Sequence, residues 1–99
     1  MESFFDRQAR KVLEFVVGGT RGGPMRILIL GELSKRPKNT NEISRALKID
    51  YKTAEYHIRV MRENGMLLES GDRYGLKYSV SPLFRNWDKV HKARIKSKK

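Results

Sequence analysis

Apolar residues recur at helical spacing from the start of the chain. Phe4, Phe5, Ala9, Val12, Leu13, Val16 and Val17 fall on one side, with Arg7, Arg10, Lys11 and Glu14 largely on the other. This period predicts an amphipathic helix over residues 1–18, with Ser3 as N-cap and an end at Gly18-Gly19. A second stripe, Ile27, Leu28, Leu30 and Leu33, predicts a helix from Pro24 to about Ser34, stopped by Pro37. Thr40 or Asn41 then caps a short helix whose inner face is Ile43, Ala46 and Leu47. Lys48-Ile49-Asp50 forms a turn, and Asp50 caps a longer helix from Tyr51 to Asn64 that Gly65 ends. Ala54, Ile58 and Met61 mark its inner face; Tyr51, Lys52, Glu55, Tyr56, Arg59 and Arg62 mark its outer one. After Gly65 the period shortens. Two strands, Met66–Ser70 and Leu76–Val80, flank turn residues Gly71–Gly75 and predict a hairpin. Ser81-Pro82 opens a last helix over 82–95, followed by a basic tail over 96–99.

The expected fold is therefore mainly α with a small β-hairpin. It is one domain, a winged helix-turn-helix core over 24–81 between N- and C-terminal helices. The pair 40–47 and 51–64 is the helix-turn-helix, and the hairpin 66–80 is the wing. In that geometry the longer helix enters the major groove of DNA and the wing grips the flank.

Charge supports a polyanionic partner. The 99 residues carry 22 Lys+Arg against 11 Asp+Glu, a formal net charge of +11. The excess is uneven: nine basic against five acidic residues in 24–65, two against two in 66–81, and seven against one in 82–99. The C-terminal run reads either as a solvated end or as an arm along phosphates. Cysteine is absent, so thiolate metal sites and thiol nucleophiles are excluded. The longest apolar run, Ile27–Leu30, is too short for a bilayer, and no secretory leader is visible. A cytoplasmic, nucleoid-associated location is expected. The Gly18–Gly23 stretch lacks the Lys-Ser/Thr ending of a phosphate loop and follows a helix, so it reads as a linker. No acid/base pair or activated nucleophile assembles, so no enzyme, cofactor or metal is expected.

Residues about 19–81 resemble archaeal winged helix-turn-helix transcription regulators of the arsenic-repressor-like (ArsR-like) group. The likeness is carried by Gly19-Thr20-Arg21-Gly22-Gly23 with Arg26 and Ile27-Leu28, by Asn41-Glu42-Ile43 with Leu47, and by Asp50-Tyr51-Lys52-Thr53-Ala54 with His57. Glu63-Asn64-Gly65 and Tyr74-Gly75 with Tyr78 complete it. The resemblance implies a regulator of double-stranded DNA, usually a homodimer joined through its terminal helices. It lacks the Cys or clustered His ligands of the metal-sensing members.

The expected DNA contacts are Arg21, Thr40, Asn41, Arg45, Tyr51, Lys52, Thr53, Tyr56, Arg59, Arg62 and Arg73. Arg59 suits a guanine edge or a phosphate. Glu55 suits a cytosine amino group or an ion pair with Arg59. The expected dimer interface is Phe4, Phe5, Val12, Leu83, Phe84 and Trp87. His57 reads as a partly buried, satisfied imidazole and His91 as a surface residue. A nonspecific architectural protein, a protein-interaction module and an RNA binder remain alternatives.

Overall fold

Ser3 begins the first helix as its spacing predicts: its hydroxyl accepts the Asp6 amide at 3.0 Å. The computed structural model describes residues 3–18, 21–72 and 75–97. Helix α1 (Phe4–Leu13) continues into a π turn, Glu14–Gly18. The wider turn lets two consecutive residues, Val16 and Val17, bury together while Phe15 points outward. Phe4 and Phe5 are also exposed, so the inward face of this segment is shorter than its apolar pattern suggests.

Helix α2 (Gly23–Lys35) has Pro24 in its first turn. Its buried stripe is Arg26, Ile29, Leu30 and Leu33, whereas Leu28 is half exposed and Ile27 only partly covered. The expected stripe is thus rotated, because a charged residue takes an inward position. Helix α3 (Thr40–Leu47) is capped by Asn39 and not by Thr40 or Asn41. Asn39 Oδ1 accepts the Glu42 amide at 2.7 Å and Glu42 accepts the Asn39 amide at 2.9 Å, a reciprocal capping box. Ile43 and Ser44 are its buried residues, and Ala46, expected inside, is exposed. Lys48 turns the chain in the left-handed region at φ 56°. Asp50 then accepts the Thr53 amide at 2.6 Å and starts α4 (Tyr51–Glu63), which buries Ala54, His57, Ile58 and Met61. Gly65, at φ +71°, lets the chain leave α4 for the wing.

Strand β1 (Leu67–Asp72) pairs antiparallel with β2 (Gly75–Val80), from Leu67 opposite Val80 to Asp72 opposite Gly75. The pairing therefore reaches into residues expected as turn. Lys38 adds a bridge on the other edge of β2: its amide donates to Tyr78 O at 3.1 Å and its carbonyl accepts the Tyr78 amide at 2.8 Å. Buried Lys38 sends its ammonium to Glu32 O at 2.7 Å and to the Glu32 carboxylate at 3.6 Å. The loop between α2 and α3 is thereby fixed to the wing.

The last expected helix, 82–95, is broken in two. Pro82–Phe84 forms a 3-10 turn, closed by the Arg85 amide on Pro82 O at 3.2 Å, and drives Phe84 into the core. Helix α5 (Trp87–Ser97) follows and docks on α2 through Trp87 Nε1, which donates to Ser34 Oγ at 3.0 Å. It includes Lys96 and Ser97, which the sequence assigns to a tail.

Arg26 ties these pieces together. Its guanidinium is buried, donating to Val16 O at 2.9 Å and to His57 Nδ1 at 3.2 Å. One side chain thus joins the π turn, α2 and α4. His57 can accept only while Nδ1 is unprotonated. Burial, and then the neighbouring Arg26 charge, hold its pKa below the ordinary value. Gly22 and Gly23 allow the approach: a Cβ on Gly22 would meet Arg26 and His57, and one on Gly23 would run into the Val17 carbonyl.

A depressed folded-state pKa means that the stabilisation from neutral His57 is complete above the unfolded value of about 6.5. It is lost as pH falls from there through the folded pKa. The urea midpoint should therefore begin to decline as pH falls below about 6.5, ahead of the carboxylates. In His57→Gln, whose amide oxygen accepts from Arg26 without titrating, that decline should vanish. Gly23→Ala should cost about 1–3 kcal/mol by overpacking. Gly31→Ala, with nothing near its Cβ, should gain up to about 1 kcal/mol in the same denaturation assay.

Candidate nucleic-acid interface

The outer face of α4 meets the N-terminus of α3 and the wing along one open groove of about 380 Å³. Thr40, Tyr51, Glu55, Ile58, Arg59, Arg62 and Tyr78 line it. The positions follow from helix geometry: residues 51, 55, 58, 59 and 62 recur every three or four and share one side of α4. Asp50 fixes where that side begins, and Ala54, His57 and Met61 seat the remaining side in the core.

The structure thus brings Thr40, Tyr51, Arg59 and Arg62 together. Lys52, Thr53 and Tyr56 are exposed on the adjoining face of α4, and Asn41 and Arg45 on α3. Arg21 is exposed just before α2. Arg73 lies outside the described residues. Lys48, at the turn between α3 and α4, and Lys77 of β2 are also exposed and were not among the expected contacts. Tyr78 is a further addition. Strand alternation groups it with Leu76 and Val80, but nothing in the sequence indicates that the α2–α3 loop will pin it against this groove.

Arg59 and Tyr56 form a unit. The Arg59 guanidinium lies 5.7 Å from the Tyr56 ring centre, and Arg26 lies 5.8 Å from the same ring. Cations near the ring are attracted by its quadrupole. The buried brace of the fold therefore reaches the exposed face. The ion pair expected between Glu55 and Arg59 is not formed; Arg59 lies 3.7 Å from Glu63 instead. Arg62 binds Glu69 of the wing at 3.1 Å, which raises its pKa further, so its guanidinium is already paired.

The N-terminus of α3 is occupied by an acidic side chain. The Glu42 carboxylate sits there, held by the Asn39 amide, by Arg36 at 2.9 Å and by Lys77 at 3.8 Å. The Asn39 hydrogen bond first, and then Arg36, lower its pKa. The end of α3 is therefore closed by its own capping box, while the side chain of Thr40 lines the groove. Among the described residues no group of three or more His, Asp or Glu is placed to hold a metal ion. No described helix is long and apolar enough to cross a membrane.

A second concavity lies between α1 and the C-terminal segment. It measures about 220 Å³ and is lined by Ala9, Leu13, Leu83, Phe84, Trp87 and Val90, with Asp6, Arg10 and Asn86 also on its walls. Of the expected dimer residues, Phe4, Phe5 and Leu83 are exposed, Val12 and Trp87 are partly covered, and Phe84 packs inside its own core.

Comparisons with known proteins agree with this architecture. No curated protein matches the chain. The crystal structure of a probable transcriptional regulator from Pseudomonas aeruginosa is similar at a TM-score of 0.68 and 19% identity, covering 93% of this chain and 72% of that one. That likeness establishes the winged helix-turn-helix fold. Residues 23–68, from α2 to the start of β1, match the model of the bacterial regulatory protein, arsR family, and over that stretch the chain is similar to the family.

Proposed function

We propose that this chain is a sequence-specific double-stranded DNA-binding transcription regulator of the archaeal ArsR-like type, acting in the cytoplasm at the nucleoid. The observation that carries the reading is the groove on α4, where Tyr51, Arg59 and Arg62 stand beside Thr40 and the wing. Helix α4 enters the major groove with Lys52, Thr53, Tyr56 and Arg59 on its exposed face. Arg21, Thr40, Asn41, Arg45 and Arg62 contact phosphates, with Arg73 of the wing on the flank. The match of residues 23–68 supports a DNA-binding regulator.

The helix-turn-helix supplies shape, and basic charge supplies affinity. Specificity needs side chains that reach base edges, and Arg59 is the candidate with the right donors. A homodimer presents two α4 helices about 34 Å apart to a palindromic site. Exposed Phe4, Phe5 and Leu83, together with the apolar cleft that Leu83, Phe84 and Trp87 line against α1, support such an interface.

Arg59→Ala should weaken binding to the selected site by about 1–3 kcal/mol and relax one base position, while random duplex loses less. Competition titrations check this. Equal affinity of the wild type for its best site and for random duplex would favour an architectural protein instead. Sedimentation equilibrium should give a dimer, and Phe5→Asp should shift it to monomer with the fold retained. A monomeric wild type would reject the two-fold arrangement.

A further inference from the structure

We propose that Glu55 is a specificity-determining residue of this interface: its carboxylate accepts the amino group of a cytosine and repels duplex that offers none there. The inference rests on the DNA-binding reading above and names what one position of that surface recognises.

The other acidic side chains around the helix-turn-helix have structural partners. Glu32 pairs with Lys35 and Lys38, and Glu42 closes the α3 capping box between Arg36 and Lys77. Asp50 caps α4, Glu63 lies near Arg59, and Glu69 binds Arg62. Glu55 differs. Among the described residues its side chain makes no hydrogen bond or ion pair, yet it lines the groove with Thr40, Tyr51, Arg59 and Arg62. Its natural helical partner, Arg59, is turned toward Glu63 and the Tyr56 ring.

An unpartnered carboxylate in the middle of a DNA-facing surface weakens every contact with phosphates through charge repulsion. A carboxylate accepts hydrogen bonds and donates none, and so do phosphate oxygens. The DNA backbone therefore offers it nothing. In the major groove the donors are cytosine N4 and adenine N6. Adenine sets the acceptor N7 beside its amino group on the same edge, which a carboxylate meets unfavourably, whereas the major-groove edge of cytosine itself carries the amino group and no acceptor. Glu55 thus gains a bond at one kind of base and only repulsion elsewhere. It raises discrimination by lowering affinity for the wrong sequence as well as by strengthening the right one.

The test is selection from a random duplex pool with wild type, Glu55→Ala and Glu55→Gln, followed by titration of each against selected and random duplex. Glu55 is exposed, and equal thermal midpoints confirm that all three fold. Wild type should show a cytosine at one position of each half-site. Glu55→Ala should lose that preference alone, bind the wild-type site about 5- to 150-fold more weakly, and bind random duplex more tightly. Glu55→Gln should exchange cytosine for adenine, whose N6 and N7 match the amide. The same base preference in all three proteins, or weaker random binding by Glu55→Ala, overturns the role of Glu55 while leaving DNA binding intact. A wild type that binds no duplex at low salt overturns the DNA-binding reading and this inference together.

Discussion

Arg26 places a cation inside a small protein, where an unsolvated charge costs several kcal/mol unless its donors are met. The Val16 carbonyl and His57 Nδ1 both accept from it. Those acceptors belong to different elements, so the need to satisfy one guanidinium fixes the π turn and α4 relative to α2. The π turn presents the Val16 carbonyl to Arg26, and the glycines before α2 let the backbone come close enough. His57 in turn must stay neutral, a requirement that burial and Arg26 themselves enforce. The brace does not end in the core. Tyr56 precedes His57 on α4, and Arg26 and Arg59 lie 5.8 Å and 5.7 Å from its ring centre, so the exposed face of α4 is tied to a buried charge.

Polar bonding settles the other side of the helix-turn-helix as well. The Asn39–Glu42 box starts α3, Arg36 and Lys77 clasp the same carboxylate, and Lys38 joins the edge of β2. Together they tie the α2–α3 loop, α3 and the wing around the groove. Each such bond is worth little when exposed, because water and salt screen it. Their shared role is geometric: they decide which side of α4 faces Thr40 and Tyr78.

Much of this order was legible along the chain. The helix-turn-helix, its Asp50 cap, the inner face Ala54, Ile58 and Met61, and the hairpin follow from spacing and turn chemistry. The errors share a cause. Apolar periodicity assumes that charged residues stay outside, so it misses Arg26 in a stripe that continues regularly through Ile29, Leu30 and Leu33. The same assumption put Leu28 inside. Asn39 stands at the capping-box spacing from Glu42, but Thr40 and Asn41 are equally good caps by residue type. The break at Arg85 and the π turn at Glu14 come from tertiary packing, namely Phe84 entering the core and Val16 meeting Arg26. Neither leaves a local trace. The groove was half legible: Tyr51, Arg59 and Arg62 share a helical face, but Tyr78 arrives through pairing with a distant loop residue.

Net charge ranks below arrangement in this molecule. A large positive excess attracts any polyanion, and its contribution is nearly independent of sequence. Around the helix-turn-helix, however, carboxylates hold much of the basic surface in place: Glu32, Glu42, Glu63 and Glu69 each stand beside Lys or Arg. In the proposed complex a phosphate would have to displace these partners, which would lower affinity for an unspecific backbone more than for a site that also rewards base contacts. On that reading the acidic minority would convert a general attraction into a selective one, by setting which cations are available along α4.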